Sequence, residues 1–158
     1  MLYVPFENFE IESTLSPDEV KERIANHIET NMPLFKLFYS GGKEFKGKIR
    51  DDHFLISRII RYNNSFLPMI EGTIYPNNFG SNIKITMRLH KLVFGFWIVW
   101  MAMVFLISLG FLRNLLSSPG TISLIPLLML IFGYFIGIIP FNIEVNKAKR
   151  LLQEIMIH

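Results

Sequence analysis

The apolar and polar positions of this chain change rhythm sharply at one point. From Ser81 to His90 they alternate, with Ile83, Ile85, Met87 and Leu89 set against Lys84, Thr86, Arg88 and His90. A period of two marks a strand with one buried face. After Lys91 the alternation stops, and 21 uncharged residues follow, from 92 to 112. As a helix, that run spans roughly 30 Å, the thickness of a bilayer's hydrocarbon core. A second uncharged run, of 30 residues, separates Arg113 from Glu144. Its first part, "NLLSSPGTIS", carries turn residues, and the remainder (122–141) is again of membrane length. The pattern predicts a transmembrane helical hairpin over 92–141.

The first 91 residues predict a small water-facing α+β domain. Phe9, Ile11 and Leu15 alternate with Glu10, Glu12 and Thr14, as on an edge strand. A helix follows. Ser16 caps it, Pro17 takes the first helical position and Glu19 completes a capping box. Val20, Ile24 and Ile28 form its apolar stripe, and Pro33 is its expected stop. Four strand-like pieces come next: "KEFKGKI", "FLISRIIRY", "MIEGTIY" and the opening alternation. The turns "DDH", "NNS" and "PNNFGSN" separate them. The expected fold is a small antiparallel sheet covered by one helix, then the membrane hairpin, then a short amphipathic helix over 142–158. In that last segment Phe141, Val145, Ala148, Leu152 and Ile155 fall at a/d spacing, which suits packing on the chain's own domain or self-association.

Charge supports this division. Residues 1–91 hold 12 Lys/Arg and 11 Asp/Glu, against 4 and 2 in residues 92–158. Basic residues flank the hairpin on one side: Lys84, Arg88 and Lys91 before it, Lys147, Lys149 and Arg150 after it, with only Arg113 between the spans. The positive-inside rule then places both termini in the cytoplasm and 117–120 outside. Phe94, Phe96, Trp97 and Trp100 suit an aromatic belt at the headgroup level. Gly133 and Gly137 form a small-xxx-small pair for helix packing, within the hairpin or between protomers. Neither span carries an ionisable residue, which speaks against a polar transport path. The N-terminal "MLYVPFENFE" has neither a basic region nor an apolar core, so no signal peptide is expected.

Candidate chemistry is sparse. There is no cysteine, no P-loop, no G-x-G-x-x-G, no H-E-x-x-H and no G-x-S-x-G. The four histidines are far apart, and Asp51–Asp52–His53 reads as a hairpin turn and not as a metal cluster. No metal, cofactor or nucleic-acid partner is expected, and the chain is read as a non-enzyme. The more suggestive group is Arg58, Arg61, Lys84, Arg88 and Lys91. They would bind an anionic ligand or lipid headgroups if the sheet brings them to one face.

Two stretches, "RYNNSFLP" and "MRLHKLVFGFW", resemble segments of small uncharacterised bacterial membrane proteins that place a strand-rich domain before a two-helix hairpin. The resemblance spans roughly residues 45–100. It implies this architecture and a multi-pass setting in the bacterial inner membrane, and it brings no site residue. Together these readings lead to a cytoplasmic module that binds a partner protein or a small anionic ligand at the lipid surface. The alternative is an oligomeric, membrane-perturbing or pore-forming effector gated by its cytoplasmic domain.

Overall fold

The computed structural model describes residues 4–30, 42–117 and 124–157, with the side chains of 114–117 left aside. Strand β1 (Phe6–Ser13) leads into α1 (Pro17–His27). Strands β2 (Ile28–Glu29), β3 (Phe45–Arg50), β4 (His53–Arg58), β5 (Met69–Asn77) and β6 (Gly80–Arg88) follow, then α2 (Lys91–Ser117) and α3 (Ile125–Ile157). The strands form one six-stranded sheet in the order β1-β6-β5-β4-β3-β2.

The α+β class and the edge position of β1 agree with the sequence pattern, but the sheet is larger than expected and mixed. β2 pairs with β3 in parallel, Ile28 opposite Phe45. That pairing also ends α1 six residues before Pro33, which lies outside the described residues. Ile28 continues the helical stripe in sequence, but its backbone is extended and its side chain is buried in the sheet core. The strand expected through "FLISRIIRY" stops at Arg58, and residues 59–68 form an irregular connection. The turns are tighter than the sequence suggests. Arg50 faces His53 across Asp51–Asp52, and Asp51 takes the left-handed conformation (φ 54°) that Asp tolerates.

The arrangement of the helices differs most from expectation. The segment after 141 is no separate helix. It is the second half of α3, and it lies on the same sheet face as α1. Phe141, Val145, Ala148, Leu152 and Met156 are almost wholly buried, in one cluster with Val20, Ile24, Ile70, Ile83, Ile85 and Met87. The a/d residues therefore fill the core of this chain's own sheet. The C-terminal end of α3 is tied to β1 and α1. Ser13 Oγ donates to the carbonyl of Met156 at 2.6 Å, and Arg23 Nη1 reaches that of Ile155 at 3.5 Å. These bonds satisfy last-turn carbonyls that no helical N–H can reach.

At the start of α1 the capping box is complete. Ser16 accepts from the Glu19 N–H, and the Glu19 carboxylate accepts from Ser16 N–H and hydroxyl. The bonds from Ser16 hold the Glu19 carboxyl below its ordinary range. Their contribution is present above that range and is lost as pH falls through the lowered value. Ser16→Ala is expected to cost about 1 kcal/mol through the lost cap. Ile24→Asp is expected to cost about 4 kcal/mol or more, because it buries a charge between α1 and the sheet. Thermal unfolding of the detergent-solubilised chain checks both. Equal melting of Ile24→Asp and the parent would show that this face is not core.

Among the described residues, two helices are long and apolar enough to cross a membrane, Lys91–Arg113 and α3; within the 18-residue apolar stretch of each, 11% and 33% of the residues are buried. A soluble core helix of this composition would bury most of its surface. Here Leu92, Phe96, Val99, Leu106, Leu127, Leu128 and Phe132 are exposed. The helix of α2 continues through Ser117, so 114–117, expected in the turn, are helical. The rest of that turn, 118–123, lies outside the described residues.

Candidate functional site

β6 runs directly into α2, so the end of the sheet nearest the two apolar helices can be read from the strand directions. Phe6 pairs with Arg88, and Met69 pairs with Arg88 from the other side. The start of β1, the end of β6, the start of β5 and the 59–68 connection all meet there. Two features are built at this end: a buried carboxylate with its partners, and an apolar cleft.

Glu144 is the first charged residue after the apolar half of α3. Nineteen helical residues precede it from Ile125, about 28 Å of helix, so it marks the depth at which a bilayer core would end. Only 1% of the residue is exposed. Its burial is tolerated because donors converge on it. Arg58 Nη1 donates to one carboxylate oxygen and the Tyr62 hydroxyl to the other, while Lys147 Nζ lies 3.5 Å away. A buried charge needs such pairing. The hydrogen bond to the Glu144 carboxylate holds the Tyr62 phenol above its ordinary range, helped by partial burial and by the negative charge itself. The bond is therefore complete at neutral pH and is lost only as pH rises past that raised value. One turn earlier, Pro140 interrupts the α3 ladder, and the Asn142 amide donates to the carbonyl of Ile138 at 3.0 Å beside the gap.

A cleft of ≈500 Å³ opens between the two apolar helices just beyond this node. Phe96, Trp97 and Trp100 of α2 form one wall and Phe132 and Ile136 of α3 the other, and Ser65 and Phe66 of the 59–68 connection line it as well. Trp97 Nε1 donates to the carbonyl of Gly133 at 2.9 Å, so a polar group buried between apolar helices is satisfied. Gly133 and Gly137 lie in the same contact. A Cβ at Gly133 would meet the Trp100 ring at 1.9 Å, and one at Gly137 would meet Trp97 at 2.5 Å. Both glycines thus face the tryptophans of the same hairpin.

The five basic residues singled out from the sequence are not brought to one face. Arg58 is in phase with Phe54 and Ile56, so it points toward the helix-covered face and is consumed by Glu144. Lys84 and Arg88 lie on the opposite, open face, two strands away across β5. Arg88 pairs with Glu71, and Lys84 stands between Thr73 and Glu10 in the register. Lys91, the first residue of α2, and Arg61, in the 59–68 connection, are both exposed, and neither takes part in an ion pair among the described residues. Asp51 and Asp52 form the β3–β4 turn, where Asp52 accepts from Lys21 at 2.7 Å. Sequence reasoning missed Glu144. The signal was available: a lone acid ends a 30-residue uncharged run, and Arg58 falls in phase with an apolar strand face. A charge on each of two buried faces calls for the other.

No family model, no curated protein and no solved structure matches this chain.

Proposed function

We propose that this chain is a non-enzymatic, two-pass protein of a bacterial inner membrane. Its sheet domain is seated on the cytoplasmic surface and binds a partner protein or a small anionic ligand there. The observation that carries this reading is the continuity of α3. One helix has an apolar, largely exposed first half of membrane length and a second half that completes the sheet core. A domain so joined cannot swing away on a linker. It holds Arg61 and Lys91 at the lipid surface and turns the open sheet face, with Lys84, Phe6, Leu55 and Tyr75, toward the cytoplasm. The basic residues flanking the spans support that orientation.

The oligomeric effector is the weaker reading. The two surfaces that the sequence offers for self-assembly are both occupied within the chain. Gly133 and Gly137 receive the tryptophans of α2, and the a/d residues of α3 fill the sheet core.

The chain has no cysteine, so single cysteines test this arrangement in intact cells. Ser117→Cys is expected to react with an impermeant thiol reagent, and Lys84→Cys only after permeabilisation. The reverse pattern overturns the orientation. With the chain reconstituted in vesicles, a trapped dye is expected to stay inside. Leakage rising faster than linearly with protein would put the effector reading in its place. A photo-crosslinking residue at Lys84 is expected to give a discrete adduct in cells. Absence of any adduct from the open face would remove the binding role.

A further inference from the structure

The apolar cleft has a definite chemical character. Its walls are aromatic and aliphatic, with Phe96, Trp97 and Trp100 facing Phe132 and Ile136. Phe66 also lines it, from the same connection that carries Arg61. Lys91 directly precedes Leu92, which also lines the cleft. Arg61 and Lys91 are both exposed. Arg58 is engaged by Glu144 and Arg88 by Glu71, so these other two arginines of the membrane-facing end are already neutralised. A complementary ligand therefore has an apolar chain attached to an anionic head. At ≈500 Å³ the space is of the size that accommodates small organic ligands. Its depth, just beyond the level of Glu144, is that of the acyl region under a headgroup.

We propose that the cleft binds an anionic phospholipid of the cytoplasmic leaflet, with an acyl chain between the tryptophans of α2 and Phe132 of α3 and the phosphate at Lys91 and Arg61. This deepens the reading above by naming the anionic ligand, and it rests on α2 and α3 spanning the bilayer. The site would make the seating of the domain depend on lipid composition. The 59–68 connection touches the cleft through Phe66 and Glu144 through Tyr62.

Both tryptophans of the chain line the cleft, so its occupancy can be read without a label. The full chain is reconstituted in phosphatidylcholine vesicles containing increasing fractions of chain-brominated phosphatidylglycerol or, separately, chain-brominated phosphatidylcholine. Bromine quenches tryptophan emission on contact. The phosphatidylglycerol is expected to reach half-maximal quenching at a mole fraction about 25-fold lower, a factor of about five for each of the two basic side chains engaged. In the Lys91→Gln, Arg61→Gln double variant the two lipids are expected to quench alike, with the phosphatidylcholine curve unchanged. That unchanged curve also shows that the variant is folded. Identical curves in the parent chain overturn the site and leave only ordinary solvation by lipid. A preference that survives in the double variant overturns the headgroup assignment. If neither lipid quenches, although the chain resists alkaline extraction from the vesicles, protein covers the cleft and the proposal fails alone. If alkaline extraction releases the chain, the membrane-spanning reading itself is wrong.

Discussion

Deleting residues 142–158 is expected to unfold the sheet domain, although the deletion touches no strand and leaves both membrane-length segments, 92–112 and 122–141, intact. The reason lies in what the second half of α3 covers. Val145, Leu152, Ile155 and Met156 are at most 9% exposed, and they pack in one cluster with Ile11, Ile83, Ile85 and Met87 of the sheet. Four such side chains lost at roughly 1.5–3 kcal/mol each come to about 6–12 kcal/mol. That is comparable to the whole stability of a typical domain, about 5–15 kcal/mol. The bond from Ser13 to Met156 and the ion pair from Lys149 to Glu7 are lost as well. Limited proteolysis of the detergent-solubilised chain provides the measurement. The full chain is expected to yield a resistant sheet fragment, and the truncated chain to be digested through the strands. Residues 1–91 expressed alone should behave like the truncated chain. If residues 1–141 resist digestion as well as the full chain does, α3 is not part of the core. A milder probe agrees in direction: Leu152→Asp should destabilise the same fragment in a chain of unchanged length.

Local signals in the chain were strong wherever the deciding contacts are local. Alternation in "NIKITMRL" reports a strand because each residue's face depends only on its neighbours. The helix start at Ser16 is equally local, since all of its bonds lie within four residues. Ile28 shows the opposite case. Spacing places it on the helix, and only the distant Phe45 makes it a strand. The a/d residues of α3 were visible as an apolar stripe, but a stripe does not say which surface it meets. Here that surface is on strands more than fifty residues earlier in the chain. The basic group is divided between faces for a further reason. Counting positive charges ignores strand phase, and phase puts Arg58 on one face and Lys84 and Arg88 on the other. The cleft was legible as an aromatic cluster near residue 97. Its second wall needed the pairing of the hairpin, which sets Trp97 and Trp100 against Gly137 and Gly133.

Glu144→Ala is expected to be among the most damaging single substitutions in this chain, at about 3–5 kcal/mol, because it leaves a buried cation without its partner. The Arg58 side chain is 16% exposed against 2% for Glu144, and its Nε already lacks an acceptor. Without the carboxylate, the guanidinium must either remain desolvated and unpaired or pull the end of β4 away from α3. Tyr62, half-exposed, regains water and adds little to the cost. Arg58→Met should cost a similar amount in reverse, softened because Tyr62 and Lys147 still reach the carboxylate. The double variant Arg58→Met, Glu144→Leu removes both charges and keeps the volume. Replacements of this kind are often neutral or stabilising by about 1–4 kcal/mol. The cycle is therefore expected to show strong coupling: two damaging single variants and a double variant near the parent. Denaturant unfolding of the solubilised chain, followed by far-UV circular dichroism, gives the four free energies. Additive losses would mean that the two charges do not meet across the junction of α3 and β4. A Glu144→Ala variant within about 0.5 kcal/mol of the parent would show that the carboxylate is solvated, as surface substitutions are. The coupled result would make the node a stability element of the junction, held by a carboxylate where the apolar half of α3 ends.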